Sequence, residues 1–350
     1  MNIRVKQLQK DLAKRSVDSI LVTDPYNISY LAGYKCRDAY VVITRNEAVY
    51  ITDGRYTQEM RKSLSGFTVV DVKPSLSHVL ANLCRTRKIK RLGFEEHQVT
   101  YSLYNRLLNA VSVELVPLSG TVEALRLVKT PEEIEKIRVA TQIAMQSYQY
   151  IQDFLKPGVK EIEIAGEIER FIRFEGASCA SFDIIVAAGP NAALPHYQTS
   201  ERKLKAAEAV MIDMGVEYQG YKSDLTRVFF LGKINTLVAR VYDIVLTAQA
   251  RALALIKPGV KPSIVDKAAR QYISDKGYGR YFVHSLGHGI GLQIHEAPSL
   301  SAKVEQVLRP GMVFTVEPGI YLPGRFGIRI EDMVLVTRKG CEVISGSLNK

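Results

Sequence analysis

The opening third of the chain alternates short β-rich runs with stretches of helical spacing. Apolar and β-branched residues cluster at 19–24 (SILVTD), 40–46 (YVVITRN), 48–53 (AVYITD), 67–72 (FTVVDV), 91–96 (RLGFEE) and 113–119 (VELVPLS), which predicts six strands. Between them, 75–87 (SLSHVLANLCRTR) and 100–111 (TYSLYNRLLNAV) carry apolar positions on one helical face, and the first fifteen residues read as an amphipathic helix. Strands alternating with helices point to a layered α/β domain over residues 1–124.

The pattern changes near Thr130. Thr130-Pro-Glu-Glu133 combines a capping hydroxyl, Pro at the first helical position and Glu three residues after the cap. It predicts a long helix to about Leu155 at the start of a second domain, 125–350. No Ser/Gly-rich linker intervenes.

The second domain contains an internal repeat. Leu155-Lys-Pro-Gly-Val-Lys160 recurs as Ile256-Lys-Pro-Gly-Val-Lys261, an offset of 101 (256 − 155), and the helical segment after each copy ends in glycine, Gly176 and Gly277, again 101 apart. Each half therefore reads as long helix, Lys-Pro-Gly break, second helix, glycine cap, strands. The strands of the first half carry Asp213 and, across a turn, Asp224; those of the second carry Glu317 and Glu331. Two similar halves about a pseudo-twofold axis aim all four carboxylates at one centre.

Carboxylates set in apolar strand sequence and facing one another repel unless cations lie between them. Any one of them alone reads most simply as half of a salt bridge; four related by a repeat do not. Histidines strengthen the case. Of six in the chain, three fall within twelve residues, His284, His288 and His295, and the intervening Gly287, Gly289 and Gly291 suggest a loop that turns tightly against a site. Four carboxylates and one imidazole, His288, make an oxygen-rich ligand set that suits Mn²⁺ or Co²⁺, with Zn²⁺ and Fe²⁺ as alternatives. Two ions balance four carboxylates better than one, and a pair about 3.5 Å apart can bridge and acidify a hydroxide while polarising a carbonyl.

Composition narrows the class. The chain has 350 residues, 47% of them hydrophobic, and no apolar run of membrane-spanning length. Its N-terminus lacks the apolar core of a secretion signal. Cys36, Cys84, Cys179 and Cys341 are scattered without a CxxC pair, which fits a reducing, cytoplasmic setting and excludes a thiolate zinc site. A net charge of +11 invites a nucleic-acid reading, but the densest basic run, Arg85 to Arg91, sits where a helix C-terminus favours positive charge, and no nucleic-acid motif accompanies it. There is no G-x-S-x-G elbow and no P-loop, and His295-Glu-Ala-Pro-Ser299 breaks the H-E-x-x-H pattern.

The blocks SFDIIVAAGPNAALPHY, MIDMGVEYQGYKSDLTR, HSLGHGIGLQIHEAP and GMVFTVEPGIYLPGRFGIRIED resemble the successive signatures of the dimetal peptidases that include Xaa-Pro aminopeptidase (aminopeptidase P), Xaa-Pro dipeptidase (prolidase) and methionine aminopeptidase, peptidase family M24. Asp24 to Gly33 and Ile51 to Tyr56 look like the leading domain of the first two branches. The resemblance implies a creatinase/prolidase-type α/β domain followed by a pita-bread catalytic domain. It implies that Asp224, His288 and Glu331 hold one metal, and that Asp213, Asp224, Glu317 and Glu331 share or hold the other. It also implies Glu317 as the base, His284 and His295 on the scissile carbonyl, His196 as a substrate-binding proton shuttle, and Arg329 as the group orienting metal-bound carboxylates. A homodimer acting on peptides with proline at the second position is expected on the same ground, with Mn²⁺ the first choice of metal and no nucleic-acid or membrane partner. Prolidases usually carry Arg straight after His-Glu-x-Pro, where it meets a dipeptide's carboxylate. Here that residue is Ser299, which tilts the expectation towards aminopeptidase P, with prolidase as the alternative. A non-catalytic pita-bread binding module and a creatinase-like amidinohydrolase are further readings, and the intact ligand set speaks against both.

Overall fold

Asp24-Pro25 shows how local chemistry sets the boundaries. In the computed structural model, which describes residues 3–34 and 38–350, the first strand stops at Val22 because the Asp24 carboxylate caps a helix, accepting from the amides of Tyr26 (2.8 Å) and Asn27 (2.9 Å). The expected strand 19–24 is therefore a shorter strand followed by a helix that apolar patterning did not reveal. Cys36 lies outside the described residues; Cys84, Cys179 and Cys341 are free thiols.

Two compact units result, Met1–Arg126 and Leu127–Lys350. The first comprises strands β1 (Ser19–Val22), β2 (Ala39–Thr44), β3 (Ala48–Thr52), β4 (Thr68–Asp71), β5 (Arg91–Glu95) and β6 (Glu114–Leu118), ordered β4-β3-β2-β1-β5-β6 in one mixed sheet. Around them lie α1 (Ile3–Lys14), α2 (Pro25–Ala32), α3 (Thr57–Ser63), α4 (Leu76–Thr86), α5 (Tyr101–Ala110) and α6 (Glu123–Arg126). The apolar faces of α4 and α5 meet the sheet through Leu80, Leu83 and Leu107 against Leu21, Val49 and Leu92. In the basic run, Arg87 pairs with Glu47, and Arg91 with Glu114 at 3.0 Å.

The second unit opens with α7 (Pro131–Ile151). Its capping box is complete: the Thr130 amide donates to Glu133 Oε2 (2.8 Å), and the Glu133 amide to Thr130 Oγ1 (3.4 Å). The repeat then appears residue for residue. Helix α8 spans Glu161–Phe174 and, after α9 (Thr236–Leu253), helix α10 spans Pro262–Asp275, with both ends displaced by 101 (262 − 161 and 275 − 174). Gly176 and Gly277 both adopt the left-handed conformation that ends a helix, at φ 90° and 86°. The Lys-Pro-Gly breaks pair alike. Gly158 N and Val159 O clasp the backbone of Leu204 at 2.9 and 2.8 Å, as Gly259 N and Val260 O clasp that of Leu308 at 2.9 and 2.8 Å.

Short strands β7 (Cys179–Ala180), β8 (Ile185–Ala188), β9 (Ala209–Met214), β10 (Val216–Tyr218), β11 (Tyr221–Lys222) and β12 (Leu225–Phe230) complete the first half. The second half holds β13 (Gly287–Gly289), β14 (Glu296–Leu300), β15 (Val313–Val316), β16 (Gly319–Leu322), β17 (Phe326–Arg329), β18 (Asp332–Val336) and β19 (Cys341–Val343). Antiparallel β9–β12 and β15–β18 are the corresponding pairs, and helices α9 and α10 bury Val241, Val245, Val265 and Ala269 in the same core cluster as Met211, Phe314 and Val334. Among the described residues, no helix is long and apolar enough to cross a membrane.

Candidate metal centre

The strand pairs put their carboxylates at matching places. Asp213 lies near the end of β9 and Asp224 immediately before β12; Glu317 immediately follows β15 and Glu331 immediately precedes β18. The two halves are tied at this point, since the Glu331 amide donates to Thr226 O (3.2 Å) and Thr226 Oγ1 donates to Glu331 Oε2 (2.7 Å). All residues singled out from the sequence, Asp213, Asp224, His288, Glu317, Glu331, His284, His295, His196 and Arg329, line one cavity of about 520 Å³, together with Ser299.

The glycine-rich segment differs from expectation. Residues Gly287–Gly289 form β13, sandwiched between β14 and β15, rather than a loop. A Cβ on Gly287 would lie 2.0 Å from Thr315 O, and one on Gly289 would lie 2.3 Å from Ala297 O. These glycines permit close strand packing, not a tight turn, and the packing aims His288 at the carboxylates. His288 Nε2 lies 3.4 Å from both Asp224 Oδ2 and Glu317 Oε1.

The buried carboxylates carry more negative charge than the protein's own groups balance. Asp213, Asp224 and Glu331 are at most 8% exposed, yet Asp213 Oδ1, Asp224 Oδ1 and Glu331 Oε1 have no hydrogen-bond partner. A buried carboxylate oxygen left in this way costs several kcal/mol (about 1–3 even for a neutral group) and calls for a cation. Arg329 supplies one positive charge, bonding Asp213 Oδ2, Thr226 Oγ1 (3.1 Å) and Tyr321 Oη (2.8 Å). Four carboxylates exceed it. Burial, followed by repulsion from Asp213 and Glu317, raises the Asp224 pKa well above the ordinary range; burial and then Asp224 do the same for Glu331. Burial also raises Glu317, against the pull of His288 and Arg329. Ligand atoms of Asp224, His288 and Glu331 all lie within 4.8 Å of one another, a spacing that one ion spans. The residues fit divalent cations.

The histidines divide into two kinds. His284 Nδ1 lies 2.7 Å from Ser285 O, which can only accept, so Nδ1 carries the proton and Nε2 accepts from the Tyr321 hydroxyl at 2.9 Å. Burial, then the nearby Arg329 charge, lowers its pKa to about 4 and keeps it neutral. Both ring nitrogens are thus engaged within the protein. The contact with a scissile carbonyl expected of His284 requires the Tyr321 hydroxyl to let go; as arranged, His284 holds Tyr321 and through it Arg329. His196 and His295 instead sit exposed on the cavity wall, with the His295 ring 4.3 Å from that of His288.

Sequence reading missed Thr226, Thr315 and Tyr321. Thr226 pairs in register with Asp213, and Thr315 Oγ1 bridges the His288 amide and Glu317 Oε1, both at 3.1 Å. Threonine and tyrosine are ordinary strand residues, so nothing in their pattern marked them.

Comparison with known proteins identifies the family. Residues 135–338 match metallopeptidase family M24, and residues 4–128 match the creatinase/prolidase N-terminal domain. An Xaa-Pro dipeptidase from Bacillus anthracis is 42% identical and superposes with a TM-score of 0.97, covering 99% of this chain and 98% of that one. The Xaa-Pro dipeptidase of Pyrococcus furiosus is 37% identical over 98% of this chain and 97% of its own. An X-Pro aminopeptidase from Thermotoga maritima is 37% identical with a TM-score of 0.89, covering 95% and 97%. With both domains matched and the carboxylate centre in place, the chain belongs to metallopeptidase family M24 and is a hydrolase of peptide bonds.

Proposed function

We propose that the protein is an Xaa-Pro dipeptidase of the prolidase type, using two divalent ions held by Asp213, Asp224, His288, Glu317 and Glu331. The observation that carries the choice of substrate is the full-length similarity to Xaa-Pro dipeptidases, at 42% and 37% identity. This reverses the preference for aminopeptidase P that Ser299 suggested; a single side chain on the cavity wall weighs less than likeness along both domains. The Thermotoga maritima similarity and Ser299 keep aminopeptidase P as the second reading.

When bound, the two ions, with Mn²⁺ the first choice, acidify a water and polarise the scissile carbonyl. The protein's own groups do the rest. Glu317, immediately after β15 and beside the other carboxylates, takes the proton of the attacking water. His295 and His196, exposed on the cavity wall, donate to the substrate carbonyl and pass a proton towards the leaving proline nitrogen. Arg329 holds Asp213 in position, and His284 and Tyr321 fix Arg329.

The purified protein with Mn²⁺, offered Xaa-Pro, Xaa-Pro-Xaa and Met-Ala-Xaa with products identified by mass, is expected to cut the Xaa-Pro dipeptide with the highest kcat/KM. Cleavage of Xaa-Pro-Xaa with the dipeptide spared would transfer the assignment to aminopeptidase P.

A further inference from the structure

The repeat offset of 101 also relates two buried polar residues that donate to backbone carbonyls rather than to metal-ligand side chains and do not line the cavity. Tyr148 lies on α7 and Gln249 on α9, 101 apart (249 − 148), and both are fully buried. Their neighbours on the same faces are the expected apolar ones, Ala144 and Ile151 on α7, Val245 and Ala252 on α9. A polar group at such a position is unfavourable unless it is fully satisfied.

Both are satisfied in the same way. The Tyr148 hydroxyl lies 2.9 Å from Ile212 O and 2.5 Å from Leu225 O, its one proton shared between two carbonyls. Ile212 precedes Asp213 and Leu225 follows Asp224. The Gln249 amide donates its two protons to Val316 O (3.0 Å) and Ile330 O (3.1 Å), and those residues precede Glu317 and Glu331. Each half thus has one helix residue that spans the two backbone segments carrying its pair of carboxylates. Buried carbonyls need donors, and a single donor serving both segments also fixes their separation.

Burial and one further contact hold these donors in their roles. Burial, and then the charge of Asp213, raises the Tyr148 pKa well above its ordinary value, so the hydroxyl keeps its proton. The Gln249 carbonyl accepts from Lys350 Nζ at 2.7 Å, which fixes the amide with its NH₂ towards the strands.

We propose that Tyr148 and Gln249 are a pseudo-symmetric pair of positioning residues that set the spacing of the four carboxylates, one clamp per half, through the backbone. The inference rests on the metal-binding reading of those carboxylates. It assigns the clamps to ion affinity and geometry rather than to folding alone.

The test uses the full chain, stripped with chelator and titrated with Mn²⁺ by calorimetry, with the Mn²⁺ electron paramagnetic resonance spectrum recorded at saturation. Tyr148→Phe and Gln249→Met remove the donors while keeping side-chain volume. Ser147→Ala is the control, because the Ser147 hydroxyl is equally buried but bonds Ile143 O within its own helix. Each clamp variant is expected to bind Mn²⁺ about 10- to 100-fold more weakly, with an altered spectrum and a fall in kcat larger than any change in KM. Ser147→Ala is expected to bind as the unsubstituted protein does. Should Gln249→Met fail to fold, Tyr148→Phe decides the matter alone. Unchanged Mn²⁺ affinity and spectrum in the clamp variants would overturn the proposal, whereas no Mn²⁺ binding by the unsubstituted protein would overturn the metal reading with it.

Discussion

Replacing Asp224 by Asn is expected to make the metal-free protein more stable while removing most of its activity. Asp224 is buried, carries an unpartnered Oδ1 and faces Asp213 and Glu317. In a protein without metal its charge is therefore a cost. Its folded pKa lies above the unfolded value, so its stabilising contribution is present below the unfolded pKa and is lost as pH rises through the folded one. Asn never ionises, and its advantage grows over that same interval. The thermal midpoint of chelated Asp224→Asn is thus expected to exceed that of the unsubstituted protein at pH 8 and to approach it at pH 4. Each kcal/mol recovered is worth about 2–4 °C in a unit of this size. With Mn²⁺ present the order is expected to reverse, because the proposed reading makes Asp224 a ligand of the ion. Activity falls by at least about 100-fold, the upper range for losing even an indirect partner of a ligand. A midpoint for Asp224→Asn that is lower at every pH without metal would contradict the electrostatic account.

Arg329→Met acts in the opposite direction. Arg329 is 3% exposed, and its guanidinium binds Asp213, Thr226, Tyr321 and Pro195 O at once. Its removal leaves Asp213 without its buried counter-charge and the Tyr321 hydroxyl without a donor. Breaking a buried pair from one side costs about 3–5 kcal/mol, because the remaining charge stays buried. The urea midpoint of the metal-free variant is expected to fall accordingly, and Mn²⁺ should restore part of the loss by neutralising the carboxylates. Arg329→Lys is expected to rescue little, since an ammonium cannot reproduce the planar set of donors that reaches four partners. A loss within about 1 kcal/mol, typical of an exposed pair, would show that Arg329 is not an organising charge of the centre.

Much of this arrangement was legible in the chain. The 101-residue offset announced two like halves, and helices α8 and α10 begin and end at that offset. Strand runs were visible because apolar β-branched residues mark buried sheet. Carboxylates within those runs were visible because they contradict their surroundings. Other features left no such mark. β13 looked like a loop because Gly287 and Gly289 serve close strand packing, which sequence cannot tell from turning. Helix α2 is short and was hidden behind a strand pattern. Thr226, Tyr321, Tyr148 and Gln249 act through hydrogen bonds to groups distant in sequence, and such partners follow from the packing of halves rather than from local pattern. In the sequence the choice between dipeptide and longer peptide rested on Ser299 alone, and the proposed preference for dipeptides follows likeness along the whole chain instead.

The most direct test of the central claim is the number of divalent ions bound per chain, measured by equilibrium dialysis of the chelated protein against Mn²⁺ with elemental analysis. Two ions per chain, with dipeptide hydrolysis returning as they bind and lost in Glu331→Gln, is the predicted result. No bound Mn²⁺, or hydrolysis that persists in the fully chelated protein, would contradict it.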